Sequence, residues 1–86
     1  MLQYGTYPTD INNLYNEESS TLYKFNSNEN WQTLHWPTNG GFCLTLKGNG
    51  DNSLQIWYEP FDGTLRIRGR WNTVWKDWKS ITTTSI

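Results

Sequence analysis

Eighty-six residues with a formal net charge of −1 make one small domain, in the size range where a single hydrophobic core is marginal. Aromatic residues are 16% of the chain and Cys43 is its single cysteine, so ring side chains must carry much of the packing and no internal disulfide is available. The near-neutral charge is too small to argue for nucleic acid or a membrane surface as partner, and no apolar run approaches the roughly 18 residues of a membrane span.

Stability is therefore expected from aromatic packing or from self-association. No signal-peptide pattern follows Met1. Charge is uneven along the chain: residues 1–63 carry two lysines against seven acids, and 64–86 carry five basic groups against Asp77 alone. Such a bias is commonly a solvated face.

Residues 1–20 read as irregular chain or linker, with one short turn of helix after Asp10 as its N-cap. Thr21 to Asn26 alternates, Leu22 and Lys24 against Tyr23 and Phe25, and is predicted to be a strand. Asn26 to Glu29 is turn chemistry. Asn30 to Trp36 fits either a short strand or a loop anchored by Trp31, Leu34 and Trp36. Pro37 to Gly41 is a loop, Phe42 to Lys47 an apolar strand, and Gly48-Asn49-Gly50-Asp51-Asn52 a strong reversal signal.

Ser53 to Glu59 and Thr64 to Arg70 form the clearest element, a hairpin closed by Pro60-Phe61-Asp62-Gly63 as a type I turn with Gly63 left-handed. Setting Glu59 opposite Thr64 pairs Trp57 with Arg66 and Gln55 with Arg68. The other face then pairs Tyr58 with Leu65, Ile56 with Ile67 and Leu54 with Gly69. That apolar face is expected to point to the core, with the arginines in water. A last strand, Val74 to Ile81, is expected to be irregular, because strict alternation sets Asp77 between Trp75 and Ile81. Thr82 to Ser85 is a polar tail.

The strings Gln55-Ile56-Trp57-Tyr58-Glu59, Gly63-Thr64-Leu65-Arg66-Ile67-Arg68, Trp71-Asn72 and Trp75-Lys76-Asp77-Trp78-Lys79-Ser80-Ile81 resemble the knob domain of pyocin and phage tail fibres. In that family an aromatic strand leads through a turn into an arginine-bearing strand, and a W-x-x-W-x-x-hydrophobic ending follows, here Trp75, Trp78 and Ile81. Asp10-Ile11-Asn12-Asn13-Leu14, Leu22-Tyr23-Lys24-Phe25 and Phe42-Cys43-Leu44-Thr45-Leu46 are compatible with its earlier elements. Asn13 to Thr21 departs from it, with Glu17-Glu18-Ser19-Ser20 where the family has a Pro-Gly step.

The resemblance covers roughly residues 10–81. It implies an all-β fold, a small compact antiparallel sheet or sandwich knob of about five strands, assembled as a homotrimer within a longer fibre. On that reading 1–9 is a linker or N-terminal extension, 10–81 the knob-like domain and 82–86 the tail. The implied role is host attachment: a virion protein at a tail or head fibre tip, extracellular when functioning, that binds a bacterial surface polysaccharide or lipopolysaccharide.

Trp57 could stack on a pyranose, whose C–H face suits the ring's negative face, or form a cation–π pair with Arg66. Arg66, Arg68 and Arg70 recur about 7 Å apart on a strand. That row suits successive anionic groups, a solvated face paired with Glu59 and Asp62, or an intersubunit salt bridge. Trp31 and Trp36, in a loop rich in Asn and Thr, are the candidates for exposed stacking. Trp71, Trp75 and Trp78 are expected in the core or a subunit interface, His35 as structural or exposed, and Cys43 as a buried inert thiol.

No catalytic residues, cofactor or metal ligands are expected. Asp51, Glu59, Asp62 and Asp77 sit in no context that raises a carboxyl pKa, and there is no phosphate loop, ligand spacing or nucleophile–histidine pair. Two functions compete: a receptor-binding head, and a structural module that ends or trimerises a fibre. Single-stranded nucleic-acid binding ranks behind both on charge.

Overall fold

Residues 2–82 and 84–85 are described by the computed structural model. Seven strands form: β1 (Gln3–Gly5), β2 (Thr21–Phe25), β3 (Gly41–Lys47), β4 (Ser53–Glu59), β5 (Thr64–Trp71), β6 (Val74–Trp75) and β7 (Lys79–Ile81), of which β2 to β5 alternate β-branched, aromatic and aliphatic residues with polar ones. They form one sheet in the order β1-β2-β3-β4-β5-β6, with β7 also on β5. The fold is all-β, with seven strands among the described residues where about five were expected. The sheet is mixed, because β1 runs parallel to β2. Gln3–Gly5 thus joins the sheet from within the stretch read as a linker.

The short turn after Asp10 is a 3-10 helix, Ile11–Asn16. Asp10 caps it, its Oδ1 accepting from the Asn12 N–H at 3.0 Å. Asn30 to Trp36 is not a strand. It is a series of turns closed by Leu34 N–H to Asn30 O and Trp36 N–H to Trp31 O, both 3.1 Å. The last strand is broken between β6 and β7, as the position of Asp77 suggested.

The β4–β5 hairpin has the expected register throughout, from Glu59 opposite Thr64 to Leu54 opposite Gly69. Gly63 takes φ +72° in its turn. Its two faces, however, are reversed. Trp57 and Gln55 are completely buried, and Arg68 and Arg70 are nearly so. Leu54, Ile56 and Ile67 are only half-buried, while Tyr58 on the same side is exposed. A period of two separates the faces of a strand without saying which one is covered. Here the 3-10 helix, the 28–36 turns and the Trp75–Trp78 segment all lie on the Trp57 side.

That side holds the core. Ile11 and Leu14 of the 3-10 helix pack with Tyr23, Phe25, Trp36, Cys43 and Trp57, and Trp31, Leu34 and Trp78 close over them. The rings stack in series: Tyr23 on Phe25 at 5.6 Å, Phe25 on Trp36 at 4.4 Å and on Trp57 at 6.0 Å. Gly41 is required at its place beneath them. Its φ is +152°, and a Cβ would lie 2.7 Å from Tyr58 O and 2.9 Å from the Trp57 ring.

Cys43 is the inert thiol the sequence suggested: fully buried, its pKa pushed from 9.0 up to about 12 by burial. Burial and the Tyr7 hydroxyl also push the Tyr23 phenol up from 10.0. In the unfolded chain Cys43 ionises near its ordinary value, while the native thiol keeps its proton. The native state then holds more protons, so stability should fall as pH rises from 9.0 towards about 12. Urea midpoints across that range should show the fall, and Cys43→Ala should flatten its onset. Iodoacetamide should modify Cys43 only on unfolding; rapid native labelling would contradict its burial.

Candidate functional site

The residues singled out as ligand-binding are mostly structural. Trp36 is buried, with its indole N–H donating to Thr9 O at 2.8 Å. Trp57 is buried and donates to Thr38 Oγ1 at 2.9 Å. Neither presents a ring to solvent, which corrects the stacking roles considered for them. Each indole carries a large apolar surface and one donor, and both are satisfied inside the fold. Trp31 is half-buried against the same core.

The arginine row is not a solvent-facing strip either. Arg66 is half-buried and donates to Thr64 Oγ1 at 3.0 Å. Arg68 crosses a polar belt on the inner face. Its Nε donates to Gln55 Oε1 at 2.8 Å and its Nη2 to Asn12 Oδ1 at 2.6 Å. Gln55 Nε2 in turn reaches Ile11 O at 2.7 Å and Thr45 Oγ1 at 3.1 Å. The guanidinium lies between two indoles, 4.1 Å from the Trp75 centroid and 4.5 Å from Trp78. Burial lowers its pKa to about 10 against the pull of nearby Asp10, so it remains charged at neutral pH.

Trp75 and Trp78 are therefore core-side residues, as expected, and Trp75 Nε1 also bonds Asn12 O at 3.0 Å. Arg70 lies over the Tyr15 ring at 3.6 Å and is ion-paired with Asp51. His35 does have an acidic neighbour: its Nδ1 is 2.8 Å from Asp10 Oδ1. The two stand 25 positions apart in the chain, beyond the reach of a spacing rule.

Trp71 is the exception among these tryptophans. Expected in a core or interface, it is 63% exposed. It closes β5 just before a two-residue reversal, Asn72-Thr73, that pairs it with Val74. Both turn residues have positive φ, 52° and 68°, the combination that a tight hairpin loop requires. Asn tolerates that conformation, whereas β-branched Thr73 is strained in it. Asp51 holds the strained turn, accepting from the Thr73 N–H on one carboxylate oxygen while pairing with Arg70 through the other. Strain kept in place by its surroundings is characteristic of functional positions.

The result is an open cleft of about 490 Å³ lined by Asn49, Asp51, Asn52, Trp71 and Asn72. One exposed indole borders three side-chain amides. Matched against family models, curated proteins and solved structures, the chain resembles none of them closely enough to count as a match.

At the opposite end of the hairpin the Pro60–Gly63 turn presents Phe61, 96% exposed. Glu59 fixes that turn by accepting from the Phe61 and Asp62 N–H groups, both at 2.9 Å. A phenyl ring offers a smaller stacking surface than an indole. Among the described residues no group of three His, Cys, Asp or Glu side chains is placed to hold a metal ion, and no helix is long and apolar enough to cross a membrane.

Sequence reasoning missed the Trp71 cleft. The available signal was Asn72-Thr73 directly after a tryptophan, together with a second amide-rich turn at residues 48–52. Only the pairing of Ser53 with Arg70 brings the two turns side by side.

Proposed function

We propose that this chain is a non-enzymatic binding module of the phage fibre-knob kind that engages a bacterial surface glycan through the Trp71 cleft. The carrying observation is the exposed indole of Trp71 beside the amides of Asn49, Asn52 and Asn72. A pyranose presents an apolar C–H face and a rim of hydroxyls; the indole suits the first and amides, which donate and accept, suit the second. The cleft volume falls within the usual range for small-ligand sites. Asp51 holds the walls, both of its oxygens being engaged by Arg70 and Thr73, which favours recognition over hydrolysis.

The strand, turn and tryptophan pattern supports the setting, a virion fibre tip acting outside the host cell. Surface polysaccharide and lipopolysaccharide are the ligand class this implies. In the alternative, a fibre-tip or trimerisation module with no receptor site of its own, Trp75 and Trp78 would have to serve an interface with one face of each ring already taken by Arg68.

A bacterial glycan array and whole-cell adsorption test the proposal. Trp71→Ala should keep the far-UV spectrum and lose about tenfold or more in affinity, the equivalent of roughly 1.4 kcal/mol. Folded wild-type protein that adsorbs to no host polysaccharide, or a Trp71→Ala variant that binds as well, would refute it.

A further inference from the structure

The outer face of the sheet is chemically unlike the inner one. All seven leucines and isoleucines of β2 to β5 point outward: Leu22, Leu44, Leu46, Leu54, Ile56, Leu65 and Ile67. Four of them, Leu22, Leu44, Ile56 and Ile67, form one unbroken row across four strands, with Tyr4 at one end and Lys79 at the other. Phe42, Tyr58, Leu65 and Ile81 make a second row beside it. The only charged side chains in these rows are Lys24 and Lys79, at the flanks. Leu46 and Tyr58 are 40% and 38% exposed, and among the described residues every covering segment lies on the inner face.

We infer that this aliphatic face is where copies of the chain pack on one another, sheet against sheet. The reading does not rest on glycan binding. With strands about 4.8 Å apart and a rise of about 3.3 Å per residue, β2 to β5 with β7 present a footprint of roughly 500 Å². Two copies would bury about 1,000 Å² before the relief of the side chains is counted, the lower bound for a specific interface and in keeping with one that dissociates on dilution. A flat aliphatic sheet also matches its own copy in chemistry: interdigitating branched side chains form the interior of face-to-face sheet packings. Within the two rows a sugar would find the Tyr58 hydroxyl as its main polar partner besides the flanking groups. Covering this face also supplies what an 86-residue chain without a disulfide needs, a second apolar layer.

Analytical ultracentrifugation of the full chain across a dilution series tests the inference. Wild type should sediment as a multimer that dissociates on dilution. Ile56→Glu should sediment as a monomer that still protects Cys43 from iodoacetamide, and Leu54→Lys, nearer the margin, repeats the test if Ile56→Glu does not fold. Trp71→Ala should keep the wild-type mass, which separates this result from the glycan reading. A wild type that is monomeric at its highest soluble concentration overturns the inference, whether or not it floats with anionic vesicles or binds a foreign protein. Folded outer-face variants that retain the wild-type mass overturn it equally.

Discussion

Trp57→Ala is expected to cost about 3–5 kcal/mol of folding stability, the usual range for truncating a fully buried large aromatic. The indole stacks with Phe25 and lies against Trp36, and its N–H satisfies Thr38 Oγ1. Removing it opens a cavity at the centre of the aromatic series. A domain of this size has a total stability of about 4–13 kcal/mol, so the loss removes a large share of it and at the lower end of that range would unfold the variant. Urea denaturation of the dilute protein measures it. Ile67→Ala, half-buried on the outer face, should cost clearly less under the same conditions. The reverse order would mean that the inner face is not the core.

Arg68→Ala should cost about 2–4 kcal/mol, because the substitution strands several partners at once. Gln55 Oε1 and Asn12 Oδ1 lose their donor, and the Trp75 and Trp78 rings lose the cation between them. The aliphatic stem of the arginine is also packing material. Arg68→Lys should recover only part of the loss, since an ammonium keeps the charge but not the planar fork that meets both acceptors. Near-UV circular dichroism should change with Arg68→Ala, reporting the Trp75–Trp78 environment. A neutral Arg68→Ala would mean that this side chain is solvated.

These two effects fall on the face that looks less like a core in the sequence. Leu54, Ile56 and Ile67 are the more hydrophobic set, and opposite them stand glutamine, tryptophan and arginine. Burial followed the second set for a reason that transfer preferences of single residues do not contain. The 3-10 helix brings backbone carbonyls and an amide side chain down onto the sheet, and those groups need partners inside the fold. Gln55 and Arg68 supply them: Gln55 bonds Ile11 O and Arg68 bonds Asn12 Oδ1. A leucine at either position would leave those acceptors unpaired.

The same cause explains what was legible at the candidate site. The reversal at 48–52 and the Trp71-Asn72 step were visible as local turn chemistry, yet their meeting was not. Arg70 and Asp51, 19 positions apart, clamp them together. Trp31, Trp36 and Trp57 looked like platforms because tryptophan suits both stacking and burial, and composition does not separate the two uses.

By itself the sequence determined the central strands β2 to β5, the Pro60–Gly63 turn and the register of the β4–β5 hairpin, because these follow from dihedral preferences and from alternation between near neighbours. It also determined that the chain is all-β. Which side of the sheet is covered, which tryptophan stays in solvent and which arginines are buried were decided only by tertiary structure. Those outcomes depend on where the 3-10 helix, the 28–36 turns and the Trp75–Trp78 segment fold back, and it is contacts between distant residues, made through their polar groups, that place those segments.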